Sequence, residues 1–228
     1  MRMGSGWFVT GTDTGVGKTR VSCTLLQALA ASGLPAVGMK PVASGCQRGA
    51  AGLRSADAEA LRAASSVHAA YEDVNPYAFA VATAPHLAAD AVGIEIDIAR
   101  IRQCYARLAE QARYVVVEGV GGWCVPITAR QTMADLAVAL ALPVVLVVGV
   151  RLGALNHAVL TAQAIRASGL RLAAWVANRI DPDPVLDGYV EALNGFLKAP
   201  LLGSLPYDPT GNPAGWPRHF DVGLLEPA

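Results

Sequence analysis

The sequence predicts a doubly wound α/β fold with a mostly parallel sheet, and three features lead to this prediction. Several apolar runs of strand length are continuous rather than alternating, which indicates strands that are buried on both faces. Stretches of helical periodicity separate these runs, as βαβ units require. A Gly-rich segment lies between the first strand and the first helix, at the sheet edge where such folds bind ligands.

The individual elements follow from apolar patterning and from the Gly and Pro residues at their ends. Helix formers with an apolar face predict a helix over 18–31, which Gly33 ends. Pro41 prevents further ladder pairing after the second strand. Two stretches, 45–57 and 71–85, are expected to be loops with short helices. The predicted strands are 7–10, 36–39, 114–117, 144–150 and 172–177.

The composition favours one globular domain, expected to span residues 1–228. Apolar residues make up 53% of the chain and charged residues 16%, which is typical of a packed core rather than of a disordered chain. Lys plus Arg and Asp plus Glu both total 18, so the formal net charge is zero. Neither nucleic acid nor an anionic membrane is therefore expected as a partner.

The cysteines and the apolar runs bear on the cellular location. The cysteines lack a C-x-x-C pair or zinc-ligand spacing and are expected to be reduced packing residues. The first residues lack the basic and apolar regions of a signal peptide, and the longest apolar run, 140–150, is interrupted by Pro143 and Gly149. A cytoplasmic location is the expectation. The scattered cysteines are Cys23, Cys46, Cys104 and Cys124.

The segment Gly11-Thr-Asp-Thr-Gly-Val-Gly-Lys-Thr19 follows a strand and opens a helix, which is the context of a P-loop. Backbone N–H groups and the positive helix end would surround phosphates, Lys18 would reach the β/γ oxygens, and the Thr19 hydroxyl would ligate Mg²⁺. Five residues rather than four separate Gly11 from Gly17, so a chance Gly-rich turn is the alternative. The intact Gly-Lys-Thr favours a sheet of the P-loop NTPase type.

Two carboxylates are candidates for completing a magnesium site. Glu118 ends a strongly apolar strand, where an acid is costly unless a cation or donors receive it. Asp57 lies near a predicted helix start with Glu59 beside it, and for Asp57 alone a helix N-cap is the favoured interpretation. Magnesium–phosphate sites usually include one or two such carboxylates.

Five segments together resemble the dethiobiotin synthetase family in order and spacing. The most specific are Lys40-Pro-Val-Ala-Ser-Gly45 and Val117-Glu-Gly-Val-Gly-Gly-Trp123, because a P-loop alone indicates only a nucleotide site. Smaller matches extend the resemblance over nearly the whole chain. The other three segments are the P-loop, Val148-Gly-Val-Arg-Leu-Gly153 and Trp175-Val-Ala-Asn178.

The resemblance implies an ATP- and Mg²⁺-dependent cyclo-ligase of biotin biosynthesis. Such enzymes join CO₂ to 7,8-diaminopelargonate (7,8-diaminononanoate) and close a cyclic urea, giving dethiobiotin, ADP and phosphate. The implied route forms a carbamate on one amine, phosphorylates it to a carbamic-phosphoric anhydride, and lets the second amine displace phosphate. The family acts as a homodimer, and the second subunit helps to hold the substrate carboxylate.

The resemblance also implies roles for individual residues. Lys18, Lys40, Thr14 and Ser44 would act on the reacting groups, with Lys40 against the carbamate and the γ-phosphate. Mg²⁺ would be held by Thr19, Asp57 and Glu118. Substrate contacts would come from Lys40, Ser44, Gly121 and Asn156. ATP would contact Gly15, Val16, Gly17, Lys18, Thr19, Arg20, Asp57, Glu118, Gly119, Val120, Gly121, Asn178, Arg179, Leu205, Pro206 and Tyr207.

Other interpretations of single residues stay open at this point. Taken alone, Lys40 could be a solvated lysine at a strand end, and Asn156 is as well suited to capping a helix as to touching substrate. Gly15 departs from the Glu that many members of that family carry, and this departure concerns nucleotide preference and loop rigidity.

The main alternative function is a nucleotide-switch ATPase of the partition and septum-positioning type, which acts on protein partners. Those proteins typically carry a lysine five positions before the P-loop lysine, where this chain has Asp13. An amidotransferase-linked ligase would need a further glutaminase domain. A purely binding module would not need two lysines and metal-ligating carboxylates around one phosphate.

Overall fold

The central feature is a sheet of six parallel strands in the order β10-β9-β8-β1-β7-β2. The computed structural model describes residues 5–50, 52–209 and 215–225. In chain order the elements are β1 (Ser5–Gly11), α1 (Lys18–Ala31), β2 (Ala36–Met39), β3 (Val42–Ala43), β4 (Gln47–Gly49), β5 (Gly52–Arg54), α2 (Ala56–Ala64), α3 (Tyr71–Val74), β6 (Tyr77–Ala78), α4 (Pro85–Asp90), α5 (Ile98–Gln111), β7 (Tyr114–Glu118), α6 (Met133–Leu140), β8 (Val144–Val150), α7 (Ala154–Ala167), β9 (Leu172–Arg179), α8 (Tyr189–Leu197) and β10 (Leu201–Leu205). Short 3₁₀ turns lie at Pro184–Leu186, between β9 and α8, and at Trp216–His219 and Val222–Leu224, after β10.

The topology confirms the predicted doubly wound fold. β1 lies between β7 and β8, so the chain builds one half of the sheet toward β2 and the other toward β10. The sheet therefore switches direction at β1, and in such folds ligands bind at the carboxyl ends of the strands beside the switch. The Gly-rich loop leaves β1 at this point.

Burial on both faces explains why the strands are continuously apolar. Trp7 and Val9 of β1 pack on the face covered by α1, whereas Phe8 packs on the opposite face with residues of α5 to α8. The same alternation holds in β7, where Val115 and Val116 belong to different cores. Each face is covered, so no strand position on the central part of the sheet favours a polar residue.

Helix α1 has the predicted bounds, and its ends have local causes. It begins after Gly17, whose φ of 88° only glycine adopts readily, and it buries Val21, Leu25 and Leu29 against the sheet. Ser32 and Gly33 follow, with Gly33 at a φ of 71°. This is the glycine-terminated helix end that the sequence predicts.

The two stretches expected to be loops are only partly so. Residues 45–57 contain the antiparallel hairpin of β4 and β5, whose strands are short, polar and partly exposed. Residues 71–85 contain α3 and the two-residue strand β6, which pairs with β3 after the chain has left the main sheet at Pro41. Such short elements carry no apolar periodicity that a sequence pattern could reveal.

The edge strand β10 is absent from the sequence-based prediction. It pairs in parallel with β9, and its interior carries Gly203 and Ser204. Small residues there weaken the strand signal.

Within the described ranges, none of the helices has both the length and the apolar character that a bilayer crossing requires.

Gly6 provides a test of how closely the central strands pack. A Cβ at Gly6 would lie 2.1 Å from the backbone oxygen of Val115 on β7. We expect Gly6→Ala to lower the free energy of unfolding by about 1–3 kcal/mol, because the ladder must shift to admit one methyl group. Gly195→Ala is the matched control: a Cβ at this position in α8 meets no described atom within 4 Å, so stability should rise by up to about 1 kcal/mol. Urea unfolding measures both, and a Gly6→Ala variant as stable as wild type would contradict this packing.

Candidate active site

The predicted site residues gather at one edge of the sheet because the six strands are parallel and end there together. The loop after β1, Lys40 after β2, Glu118 at the end of β7, and Asn178 near the end of β9 all occupy this edge. The backbone joins them: Gly119 donates from its N–H to the Val9 oxygen at 3.0 Å. The loop that follows β7 thus starts directly beside the Gly-rich loop.

The Gly-rich loop closes around the side chain of Lys18. The ammonium group of Lys18 donates to the backbone oxygen of Asp13 at 2.9 Å. The Asp13 carboxylate accepts from the Thr14 N–H at 2.7 Å and pairs with the Arg151 guanidinium at 2.9 Å. Arg151 follows β8, so this pair ties the tip of the loop to the neighbouring strand. The loop therefore has a defined shape before any contact with phosphate.

Lys18 lies in an environment that disfavours its charge. Burial and, after it, the nearby positive charge of Lys40 lower its pKa to about 8, against the opposing effect of Glu118, Asp57 and Asp13. A desolvated ammonium group beside a second one gains more from an anion than an exposed lysine does. The pocket is therefore poised to receive negative charge.

A four-residue cluster lies beside Lys18. Lys40 is almost completely buried, and its ammonium group lies 2.6 Å from Glu118 Oε1 and 2.8 Å from Asp57 Oδ2. The Thr19 hydroxyl donates to the same Glu118 oxygen at 2.8 Å. The cluster joins the ends of β2 and β7 to α1 and α2, so the three residues predicted to bind Mg²⁺ meet Lys40 there.

The charges in this cluster stabilise one another. Burial alone would lower the pKa of Lys40, but Glu118 and Asp57 outweigh it and raise the pKa above its usual value. Burial would raise the pKa of Asp57, yet the charge and hydrogen bond of Lys40, with a hydrogen bond from Thr19, hold it below its usual value. Lys40 is thus no solvated lysine at a strand end.

The helix start near Asp57 corrects one interpretation. Ser55 is the N-cap of α2, and its side chain accepts from the Ala58 N–H. Asp57 lies inside the first turn and points its carboxylate at Lys40. The N-cap interpretation of Asp57 is therefore wrong, because the preceding serine fills that position.

Oxygen atoms around Glu118 fit a hard cation. Glu118 Oε2 is buried and makes no hydrogen bond to any described residue, so its second oxygen is free to take a ligand. The Thr19 hydroxyl donates to Glu118 Oε1 and also hydrogen-bonds Asp57, so it joins the two carboxylates. Hydroxyl and carboxylate oxygens suit Mg²⁺, which completes its shell with water and phosphate. In the described part of the chain no three His, Cys, Asp or Glu residues form a metal cage by themselves.

Some of the other predicted residues line a cavity of about 260 Å³ at the carboxyl ends of β8, β9 and β10. Asn178, which precedes Arg179 on β9 and is not one of the lining residues, is buried and bonds the Gly-rich loop, since its Nδ2 donates to the Val16 oxygen at 2.8 Å. Arg179 is fixed by an ion pair with Asp187 at 2.5 Å. The predicted residues among those that line the cavity are Arg179, Leu205, Pro206 and Tyr207.

The remaining predicted residues lie on the rim. Thr14 and Gly15 are exposed at the tip of the loop, and Ser44 is half-buried after β3. Asn156 is exposed in the first turn of α7, whose N-cap is Gly153, so Asn156 does not cap that helix. The segment Gly119, Val120 and Gly121 follows β7 and turns at Gly121, which has a φ of 64°.

Three contributors to the site were missed by sequence reasoning. Asn75 is buried, and its side-chain amide donates to the Lys40 oxygen at 2.6 Å, which holds the end of β2. Asp13 shapes the loop through Lys18 and Arg151. Trp216 lies under the Arg20 guanidinium, with 4.3 Å from the guanidinium carbon to the ring centroid. Asn75 lies in a segment that the resemblance covers, but no local pattern relates Trp216 to a residue almost two hundred positions earlier.

Comparison with known proteins identifies the family. A family model described as an AAA domain matches residues 5–214. An ATP-dependent dethiobiotin synthetase from Nitrosospira multiformis is 54% identical over 209 residues, which cover 91% of each chain. Another from Pseudomonas aeruginosa is 50% identical over 218 residues, covering 95% of this chain and 96% of the relative.

Solved structures share the fold at low identity. A MinD cell division protein from Aquifex aeolicus aligns with a TM-score of 0.57 and 20% identity, covering 96% of this chain and 89% of its own. The septum site-determining protein MinD from Pyrococcus horikoshii, complexed with Mg-ADP, gives 0.59 and 16%, covering 96% and 94%. These likenesses establish the P-loop NTPase fold alone. Because half of its residues match the curated relatives over more than nine-tenths of its length, the chain belongs to the dethiobiotin synthetase family.

Proposed function

We propose that this chain is an ATP-dependent cyclo-ligase that converts 7,8-diaminopelargonate and CO₂ into dethiobiotin, with ADP and phosphate as the other products. One observation supports this most: Lys18 and Lys40 converge with Glu118 at the P-loop of a chain that is half identical to dethiobiotin synthetases. Two cations beside one phosphate site suit the transfer of a phosphoryl group to an anionic acceptor. A carbamate is such an acceptor.

The chemistry has three balanced steps. One amine of the substrate adds to CO₂ and loses a proton, which gives the carbamate. A carbamate oxygen then attacks the γ-phosphorus of ATP, and ADP leaves with the bond electrons. The second amine attacks the carbonyl carbon of the mixed anhydride, phosphate leaves, and the amine proton is lost. The phosphorylation is needed because a carbamate by itself is a poor electrophile.

The chain's own residues supply charge and orientation. Lys18 neutralises charge on the β/γ oxygens, and Lys40 does so between the carbamate and the transferring group. Backbone N–H groups of residues 15–20 surround the triphosphate. Thr14, Ser44, Gly121 and Asn156 orient the substrate.

Mg²⁺ is the proposed cofactor, held by Thr19, Asp57 and Glu118. When bound, it shields the charge of the phosphates during transfer. The free second oxygen of Glu118 and the hydroxyl of Thr19 support this assignment. Lys40 already pairs with both carboxylates and keeps them charged. Its ammonium group therefore competes with Mg²⁺ for the same carboxylates.

The base of the nucleotide would lie against Asn178, Arg179 and the segment Leu205, Pro206 and Tyr207. The cavity beside β10 supports this, since four of these residues line it. Several broader expectations stay predictions: a single domain over residues 1–228, a homodimer, a cytoplasmic location, and the absence of nucleic-acid or membrane partners.

The switch ATPase is the less favoured function. The MinD structures share the fold, but their identity of 20% or less carries no information on activity. An assay of phosphate release with and without diaminopelargonate and bicarbonate separates the two functions. Release that requires both substrates supports the ligase, whereas release that ignores them supports the switch.

The first prediction of function concerns Lys18. Lys18→Ala should reduce substrate-dependent dethiobiotin formation by at least about a hundredfold, because the γ-phosphate loses its nearest fixed positive charge. Lys198→Asn is a matched control, since Lys198 is an exposed lysine after α8 whose φ of 47° asparagine tolerates. Activity of Lys18→Ala within about threefold of wild type would contradict the assignment.

The second concerns the metal. Glu118→Gln and Asp57→Asn should each raise the Mg²⁺ concentration for half-maximal activity by about tenfold or more, because each removes one anionic ligand. Glu59→Gln is the control: Glu59 lies in the same turn of α2 but pairs with Arg54 and Arg62. Titrating Mg²⁺ at saturating ATP measures the effect, and unchanged half-saturation in both test variants would rule out metal ligation.

The third separates the catalytic role of Lys40 from its structural one. Lys40→Gln should leave the buried Glu118 carboxylate without its ammonium partner and cost on the order of 3–5 kcal/mol of stability. Adding Glu118→Gln removes that charge and should restore most of the stability. Turnover should fall by about a hundredfold or more in Lys40→Gln at saturating ATP, and calorimetric ATP affinity should change by under about tenfold.

We expect the added Glu118→Gln substitution to restore the stability lost in Lys40→Gln without restoring its turnover. The double variant is compared with Glu118→Gln alone at saturating Mg²⁺, since Glu118 is itself a proposed metal ligand. If the two have equal turnover, Lys40 acts only as a counter-ion to Glu118, whereas a further loss of about a hundredfold in the double variant assigns Lys40 to the chemistry. Thermal unfolding and product formation are measured on the same preparations.

A further inference from the structure

Arg20 connects the Gly-rich loop to the edge of the sheet at β9 and β10. It lies in the first turn of α1, directly after Lys18 and Thr19. Its guanidinium donates from Nη1 to the Asn178 side-chain oxygen at 3.1 Å and from Nη2 to the Pro206 backbone oxygen at 3.1 Å. The side chain is thus turned toward the carboxyl ends of β9 and β10, while its backbone N–H stays with the loop.

The position of this guanidinium is strongly constrained. It lies over the Trp216 ring at 4.3 Å, and its Nε is buried without a hydrogen-bond partner among the residues described. Leaving a buried N–H unpaired is costly, so the other contacts must hold the group in place. A guanidinium with two donors on separate acceptors and an aromatic surface below it has one orientation.

Trp216 is itself anchored to the edge strand. The segment after it pairs with β10: Phe220 forms a bridge with Gly203, and the Asp221 N–H donates to the Leu202 oxygen at 3.0 Å. A Cβ at Gly203 would lie 2.1 Å from the His219 oxygen, so glycine is needed for this contact. The aromatic ring under Arg20 is therefore anchored to β10.

Asn178 completes the connection on the other side. Its amide nitrogen donates to the Val16 oxygen of the loop, and its oxygen accepts from Arg20. A Cβ at Gly17 would lie 2.1 Å from that amide nitrogen. Gly17, the third glycine of the loop, thus has a use besides its φ of 88°: it lets Asn178 reach the loop.

We propose that Arg20 is a positioning residue that fixes the base-binding edge, formed by Asn178 and the turn at Pro206, relative to the phosphate-binding loop. This inference rests on the proposed nucleotide site. Arg20 would hold the base-binding edge and the phosphate-binding loop at a fixed distance. A nucleoside triphosphate would then bind more tightly, because no conformational entropy is lost in ordering the two parts on binding. Arg20 would add little to the affinity for the phosphates alone.

A direct phosphate contact by the guanidinium makes the opposite prediction. An arginine that acts through its charge on the triphosphate would raise the affinity for inorganic tripolyphosphate and for ATP by the same factor. A lysine at this position would then keep part of that affinity. An arginine that acts through two fixed hydrogen bonds cannot be replaced by lysine, whose single ammonium group cannot span both acceptors.

The test compares ATP with magnesium tripolyphosphate, both measured by calorimetry, in wild type, Arg20→Met and Arg20→Lys. We expect both variants to bind ATP about tenfold or more weakly than wild type, and to bind tripolyphosphate within about twofold of the wild-type affinity. In steady-state assays the KM for ATP should rise by a similar factor, while kcat at saturating ATP falls by less than about threefold. Arg100→Met is the control, because Arg100 also lies over an aromatic ring, that of Tyr77, but on α5 away from this edge.

The outcomes separate the proposal from its alternatives. Equal weakening of ATP and tripolyphosphate, or recovery in Arg20→Lys, would mean that Arg20 acts through its charge and would overturn the proposal. So would loss of thermal stability with unchanged ATP affinity, which is the result of a merely structural contact. Failure of the proposed function is seen separately, as wild-type protein that forms no dethiobiotin, and the two calorimetric affinities still decide the role of Arg20.

Discussion

The buried carboxylate of Glu118 is the constraint on which the candidate site depends. It ends β7 with no exposed surface, in a strand that is otherwise valine and tyrosine. An ionised carboxylate in such a place is stable only if donors compensate for the water it has lost. Lys40 from β2 and Thr19 from α1 donate to one of its oxygens. One charge thereby sets the relative positions of two strands and the first helix, and through Lys40 it also orients Asp57 on α2.

The two lysines experience this cluster differently. Lys40 is compensated by carboxylates on two sides, which keeps it charged despite burial. Among the described residues Lys18 has a backbone oxygen as its hydrogen-bond partner, and burial together with the Lys40 charge lowers its pKa to about 8. Charge held in this way before a substrate binds needs no reorganisation when negative charge arrives, which is the source of electrostatic catalysis in preorganised sites. Lys18 is therefore the group that gains most from a polyphosphate.

The parts of the fold that the sequence predicts well are those with strong local patterns. The bounds of α1, β2 and β8 agree with the sequence-based prediction because apolar runs and flanking glycines define them. The edge strand β10 was missed because Gly203 and Ser204 interrupt its leucines, and the hairpin of β4 and β5 because its strands are three residues long and mostly Gly, Gln and Arg. Their pairing depends on contacts with distant residues.

The site residues follow the same rule: those marked by a local pattern could be predicted, and those placed by distant contacts could not. Lys18, Thr19, Lys40 and Glu118 could be placed from the loop motif and from the ends of apolar strands, since parallel strands bring those ends together. Asp57 could not be assigned between a cap and a ligand, because the choice depends on Ser55 taking the cap. The contact of Arg20 with Trp216 has no local signature at all, since only the folded edge of β10 brings the two together.

Position 13 illustrates how one fold can serve unlike functions. The structures of MinD proteins align over almost the whole chain, so the fold is common to both. In this chain Asp13 is used internally: its backbone oxygen receives Lys18, and its carboxylate pairs with Arg151 after β8. A lysine at this position would keep the backbone oxygen that receives Lys18, but it would meet Arg151 as a like charge, and the ion pair between the loop tip and the residue after β8 would be lost. The charge of Asp13 therefore ties the loop tip to the end of β8, while its backbone holds Lys18.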